Sequence, residues 1–405
     1  MRVTLIQPFW EYSDVFNIYI NKLLPIKTST VLQMKLKISI LFLFLSAICF
    51  GQTLSKINSL IEKELKSDKI PAIAVAVIEN GKVVHLSANG FSDLEKKDNV
   101  TVNTSFQIAS VSKIVTNLAV FKLVELNKID LTADINQYLP FEVKNPHFPN
   151  NQITVGELLN HRSGIRDDYQ IYGPLWSVPK GDPKTELSDF LEDYLAINGR
   201  LYKKEHFENK ESYKSFAYSN TGFALLGLIV ENVSNSTFED FCQQNIFKPM
   251  AMENTSWFLK NLDIKNIAKT YTNKDSTGLK FKGYNGYPDY PAGQLRTSIS
   301  DFSKLMTGYL TSEKSEFILK GQTTYEITPT PQIAQNGYYT WFMTAMNNNL
   351  YYVHEGSDTG VQTIIAIDVN YKNGIIIFVN TEHKLGSLLN AIENEMWKNN
   401  RLQQR

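Results

Sequence analysis

The 405-residue sequence predicts a mixed α/β fold: an antiparallel β-sheet flanked by helices, a helical lobe beside it, and an active site between the two. A β-branched hairpin signal near the front, several strand-like runs near the end and amphipathic helical stretches between them carry that expectation. No internal repeat, long low-complexity tract or linker divides residues 55–400. The early hairpin is therefore expected to complete the late sheet as one intertwined unit, despite its distance in sequence.

The front of the chain reads as an export signal. Met34-Lys35-Leu36-Lys37 is basic, and Ile38 to Phe50 is apolar except for Ser39 and Ser46. Gly51-Gln52 follows, where cleavage is expected. The run is shorter than the roughly 20 residues of a comfortable membrane span. Residues 34–51 are thus read as a signal peptide, 1–33 as an upstream extension of doubtful reality, and 52–405 as a single two-lobed domain. The expected location is periplasmic or secreted; an uncleaved anchor is the rival, and lipoprotein anchoring at Cys49 is disfavoured by the bulk of Ile48.

Pro71 to Ile78 is an apolar run, Glu79-Asn80-Gly81-Lys82 carries an Asn-Gly turn signal, and Val83 to Leu86 returns as the second strand. From Ser110 to Asn127 apolar residues recur at helical spacing. Further helices are expected at Val155 to Asn160, Leu187 to Ala196, Thr221 to Val233 and Phe238 to Phe247, between Gly-, Pro- and Asn-rich loops. Tyr338 to Met346, Leu350 to Glu355, Val361 to Val369 and Ile375 to Asn380 read as antiparallel strands. A last helix, about Leu385 to Trp397, would cover one sheet face.

Composition narrows the function. With 43% hydrophobic residues and 41 basic against 41 acidic side chains, the chain has an ample core and no surplus charge to attract nucleic acid. Its two cysteines are Cys49 and Cys242, so a processed chain holds one thiol, read as plainly buried. The six scattered histidines and the lack of a paired-cysteine motif argue against structural zinc.

Ser110-Val111-Ser112-Lys113 opens the predicted helix. Residues three apart on a helix share a face, separated by about 4.5 Å of rise, so the lysine amine can take the serine proton once burial lowers its pKa. Ser177-Val178-Pro179-Lys180 repeats the spacing among Gly173, Pro174, Gly181 and Pro183, where a helix is not expected. Ser112 points away from Lys113. By itself Ser110 reads first as a helix cap, and the motifs that follow make it the nucleophile. Tyr218-Ser219-Asn220 places a phenol and an amide on one side of a turn entering a helix. His354-Glu355-Gly356-Ser357 ends a strand, and the glycine lets a substrate backbone lie close against the edge.

In this order, the pieces resemble the penicillin-recognising serine hydrolases: class C β-lactamases, D-alanyl-D-alanine carboxypeptidases and related esterases. Leu158-Leu-Asn-His-Arg-Ser-Gly-Ile165 and Tyr290-Pro-Ala-Gly-Gln-Leu-Arg-Thr-Ser298 are similar to further segments of that family, and the likeness runs from about Ile57 to Trp397. The resemblance implies a β-lactamase/transpeptidase-like fold and an acyl-enzyme on Ser110. It implies Lys113 as proton acceptor or electrostatic partner and Tyr218 as general base. Asn220 would orient a substrate amide, the N–H groups of Ser110 and Ser357 would form an oxyanion hole, and His354 and Gly356 would line the substrate edge. His161 and Ser163 are read as structural.

Where the family usually has Lys-Thr-Gly or Lys-Ser-Gly, this chain has His354-Glu355-Gly356. A histidine is only partly charged near neutral pH, so an ester or a D-amino-acid amide is expected as substrate ahead of a β-lactam. A class C-like β-lactamase and a non-catalytic wall-peptide or β-lactam sensor are the alternatives. Strand alternation is expected to turn Glu355 away from the cleft. Acyl transfer through serine needs no cofactor or metal, and the expected partner is a small-molecule or peptide substrate.

Overall fold

The computed structural model describes residues 30–66, 70–176, 181–210, 212, 214–272, 278–281, 283–312, 318–320, 339–368, 370 and 372–402. Ser177 to Lys180, the second Ser-x-x-Lys, lies outside them, as do Tyr338 and Val369. The chain divides into two compact units, Met1–Ser55 and Lys56–Arg405. Helix α1 (Thr30–Leu65) covers the predicted signal. Among the described residues no helix is long and apolar enough to cross a membrane.

Strands β1 (Ala72–Glu79) and β2 (Lys82–Asp93) form the predicted hairpin. Asn80 and Gly81 both take positive φ, 51° and 72°, the conformation a two-residue hairpin turn requires. Next come β3 (Asp98–Asn99) and β4 (Ser105–Gln107). Helices α2 (Lys113–Glu125), α3 (Val155–Leu159), α4 (Tyr169–Trp176), α5 (Leu187–Leu195), α6 (Asn220–Ser234) and α7 (Phe238–Cys242) build the lobe. After β5 (Tyr271–Thr272), β6 (Lys280–Phe281) and β7 (Arg296–Ser298), helix α8 (Ile299–Thr311) returns to the sheet. Strands β8 (Phe342–Met346), β9 (Asn349–Asp358), β10 (Val361–Asp368) and β11 (Asn373–Val379), then α9 (Gly386–Leu402), end the described chain.

The main sheet has seven strands in the order β3-β2-β1-β11-β10-β9-β8. Its β1–β11 register, Ile73 opposite Val379 through Ile78 opposite Gly374, joins the two ends of the domain as the sequence pattern required. Alternation assigns the two faces. Ala72, Ala74, Ala76, Ile78, Ile376 and Phe378 enter the core shared with the lobe, and the three alanines leave room for α8 against β1. On the opposite face Tyr351 stacks on Trp397 of α9 at 6.4 Å, so the last helix covers the sheet as expected.

Several boundaries differ from the sequence reading. The predicted Ser110–Asn127 helix begins as a 3-10 turn, Ala109–Ser112, and becomes α-helical only at Lys113. Phe238–Phe247 likewise changes from α to π geometry at Gln243. Helix α4 forms although it contains Pro174, which no periodicity announced. Strand β9 runs through Gly356 and Ser357 to Asp358 instead of ending at Glu355, because its pairing with β10 extends to Asp358 opposite Val361. Cys242 is buried.

The hairpin turn gives a test of this frame. Gly81 donates its N–H to the Lys372 carbonyl at 2.7 Å, and a Cβ added there would lie 2.3 Å from Thr311 Cγ2. Gly81→Ala should lower the urea midpoint by an amount equivalent to about 1–3 kcal/mol, with little change in m-value.

Candidate functional site

The nucleophile candidate sits on a strained turn. Ala109 has φ of 45°, unusual for a residue with a side chain, and the 3-10 geometry that follows eclipses Ser110 with Lys113. The turn is clamped from both sides. Ile108 donates its N–H to the Leu295 carbonyl at 3.0 Å, and Leu295 donates its own to Ser112 Oγ at 3.1 Å. From the sheet, Thr363 Oγ1 donates to the Ile108 carbonyl at 2.8 Å. A Cβ on Gly356 would lie 2.3 Å from that carbonyl oxygen and 3.1 Å from Ser110 N. Only a glycine lets β9 approach this closely.

Lys113 is fully buried, and its Nζ lies 3.1 Å from Ser110 Oγ, 2.8 Å from Asn220 Oδ1 and 2.6 Å from the Ala292 carbonyl. Burial pulls its pKa down to about 7, against the opposing pull of the Asp289 and Asp167 carboxylates. As a neutral amine it has two N–H groups and one lone pair. The Asn220 and Ala292 oxygens can only accept, so they take both N–H groups and leave the lone pair to the Ser110 hydroxyl. That is the geometry of a base poised on a nucleophile.

Tyr218 also hydrogen-bonds Ser110 and carries Lys113 Nζ over its ring, 4.8 Å from the centroid. The residue is 36% exposed overall, yet desolvation of its hydroxyl pushes the phenol pKa up. The Ser110 bond offsets part of that rise, and Asp167 and Asp289 add to it. The phenol is therefore protonated at neutral pH, which makes Lys113 the readier base of the two.

Asp167, which the sequence reading missed, builds the turn that carries Tyr218 and Asn220. It accepts from Asn220 N at 2.8 Å, Thr221 N at 3.0 Å and Thr221 Oγ1 at 2.7 Å, capping the first turn of α6. His161 Nδ1 accepts from Ser219 N at 3.1 Å, and its ring stacks on Tyr218 at 4.3 Å. His161 thus braces the Tyr218 turn, while Ser163 Oγ accepts from Ile165 N at 3.3 Å and holds its own turn. An aspartate shortly after the His-Arg-Ser-Gly segment was the available signal, but nothing local linked it to Tyr218.

Ser110, Tyr218 and Ser357 line two adjoining cavities. One, ≈ 240 Å³, is shared with Asn220, Tyr287, Asp289 and Asp358. The other, ≈ 360 Å³, is shared with Phe342, Val353, His354 and Glu355. Strand β8 pairs with β9 only up to Val353, and beyond it residues 354–358 pair with β10. His354, Glu355, Ser357 and Asp358 of this stretch line the two cavities. His354 is 1% exposed, and burial followed by the Lys113 charge pulls its pKa down to about 3. It is a neutral ring and not a partial cation.

Glu355 departs from expectation. Alternation does place it opposite His354, but that is the Ser357 face, and both Glu355 and Ser357 line the opening. Among the described residues no group of histidine, cysteine and carboxylate side chains could hold a metal ion.

The chain matches the family described as Beta-lactamase over residues 57–395. It is 27% identical over 328 residues to Protein flp of Staphylococcus aureus (strain MRSA252), covering 80% of this chain and 62% of that protein. The chain thus spans less than two thirds of that relative. Among solved structures, D-amino acid amidase from Ochrobactrum anthropi SV3 superposes with a TM-score of 0.69 at 19% identity, over 86% of this chain and all of the other (100%). EstCE1, a hydrolase with promiscuous acyltransferase activity, gives 0.64 at 17%, over 85% and 99%. At such identities these two show a shared fold.

The Gly356 contact yields a direct expectation. Gly356→Ala should cost about 1–3 kcal/mol of stability by overpacking and, by shifting the Ser110 turn, reduce acylation by up to about 10²-fold. Denaturant titration and phosphonate labelling rates measure the two effects separately.

Proposed function

The chain belongs to the β-lactamase family, and from that premise we propose that it is an exported serine acyl-hydrolase acting on an ester or a D-amino-acid amide. The carrying observation is the Lys113 amine, buried and 3.1 Å from Ser110 Oγ, with its other acceptors arranged to leave a lone pair for that hydroxyl. Neutral Lys113 takes the Ser110 proton as Oγ adds to the substrate carbonyl. The N–H groups of Ser110 and Ser357 receive the oxyanion, a contribution worth roughly 10²–10³ in rate per donor. Tyr218 gives its phenolic proton to the leaving group and is reprotonated from Lys113. Water then attacks the acyl-Ser110 ester by the reverse proton path.

The Asn220 amide nitrogen remains for the substrate, since its oxygen is held by Lys113. The ester or amide preference rests on His354: a neutral buried ring gives a substrate carboxylate no fixed positive charge. A β-lactamase proper would need another cation there. Turnover of a chromogenic cephalosporin at rates above those for simple esters would reinstate that reading, and acylation without turnover would favour a sensor. Export is supported by the basic and apolar stretch from Met34 to Phe50.

Replacing Ser110 with alanine should abolish ester turnover and the mass increment left by a serine-directed phosphonate. Retention of both would sink the assignment. The lysine gives a pH signature. With its pKa near 7 the amine is a base only above that value, so kcat/KM should fall as pH drops through about 7. Lys113→Arg, which cannot lose its proton, should lower kcat/KM by about 10²–10⁴ and abolish that midpoint.

A further inference from the structure

The cavity beyond Ser110 toward β8 is lined by groups of one chemical kind. His354 Nδ1 sits 2.9 Å from the Glu355 carbonyl oxygen, which can only accept, so Nδ1 carries the ring proton. Nε2 is then a bare lone pair, and it is buried without a hydrogen-bond partner. A buried acceptor left unpaired costs free energy until a donor reaches it. Glu355, on the same cavity, is exposed and presents a carboxylate. Phe342 lines it too, its ring 5.7 Å from the His354 ring, and an aromatic face attracts a cation. Ser110, Tyr218, Val353 and Ser357, which complete the lining, bring no positive charge, and Lys113, whose charge reaches the His354 ring, is off the lining and neutral above its pKa of about 7.

From these placements we propose that the His354, Glu355 and Phe342 cavity is a subsite for a protonated amine, so that the substrate carries an ammonium group on one side of its scissile carbonyl. Glu355 is the specificity-determining residue. This rests on Ser110 acyl transfer and names the charge class of its substrate. The ammonium donates to the Glu355 carboxylate and to His354 Nε2 and lies against the Phe342 ring. A substrate carboxylate in the same place meets a like charge, an unprotonated nitrogen and the negative face of a ring. Because Glu355 is exposed, the preference is screened by salt.

Two matched substrate sets test it. Charge on the acyl side is varied with p-nitrophenyl 4-aminobutyrate, pentanoate and glutarate monoester. Charge on the leaving side is varied with acetylthiocholine, its neutral 3,3-dimethylbutyl isostere and a carboxylate analogue. In at least one set the cationic member should exceed the anionic one in kcat/KM by roughly tenfold or more at low ionic strength, each normalised to the neutral member. The ratio should shrink in high salt, drop about tenfold in Glu355→Gln and invert in Glu355→Lys.

Equal rates for cation and anion in both sets, a preference for the carboxylate, or ratios unmoved by both Glu355 variants would overturn the subsite. Phosphonate labelling of Ser110 in each variant shows that the fold and nucleophile persist. Failure of the wild-type protein to turn over even the neutral esters, or to take the phosphonate, would instead count against acyl transfer itself.

Discussion

The active site is organised around one buried amine. Lys113 Nζ is fully buried, so protein oxygens must satisfy it, and those it finds belong to two 3-10 turns and a helix start far apart in sequence. An ammonium in such a place is costly, and the cost is relieved by lowering its pKa toward neutrality. Satisfying the amine fixes where Ser110, Asn220 and Ala292 stand relative to one another. The same burial leaves Tyr218 protonated, so a readily deprotonated amine and a protonated phenol both reach the Ser110 hydroxyl.

Positioning that amine requires the backbone to give way elsewhere. The Ser110 turn needs Ala109 at positive φ, and it is held there by the sheet through Gly356 and Thr363 and by the loop through Leu295. Strain of this kind persists only when the surroundings over-determine it. The sheet and the helical lobe therefore meet at the Ser110 turn, and β9 both clamps that turn and lines the cavities beside it.

Much of this was legible in the sequence, and for identifiable reasons. The Asn80-Gly81 turn, the continuous apolar run of β1 and the three-residue spacing of Ser110 and Lys113 are local signals, readable where the physics is local. What escaped depended on contacts across the chain. The 3-10 start at Ala109 comes from clamping by segments nearly two hundred residues away or more. Asp167 reads as a loop carboxylate until α6 is seen to begin on it. Pro174 signals a break, yet α4 forms around it, with Tyr172 of that helix hydrogen-bonded to Thr221. The alternation of β9 was read correctly, but which face met the cleft was not, since that depends on what the fold sets beside the strand.

That last point separates reaction from substrate in this fold. The Lys113 network and the Gly356 clamp concern the proton and the carbonyl, and they are indifferent to what the substrate carries beyond them. Residues 354, 355 and 357 of β9 line the cavity, where Glu355 pairs with Ile364 through its backbone and leaves its side chain exposed, while His354 Nδ1 is satisfied by the Glu355 carbonyl. A side chain held this way can thus exchange ammonium for carboxylate chemistry at small structural cost. On the proposed reading, substrate charge is set where a side chain is exposed, and the chemistry where every polar atom of a buried lysine is held.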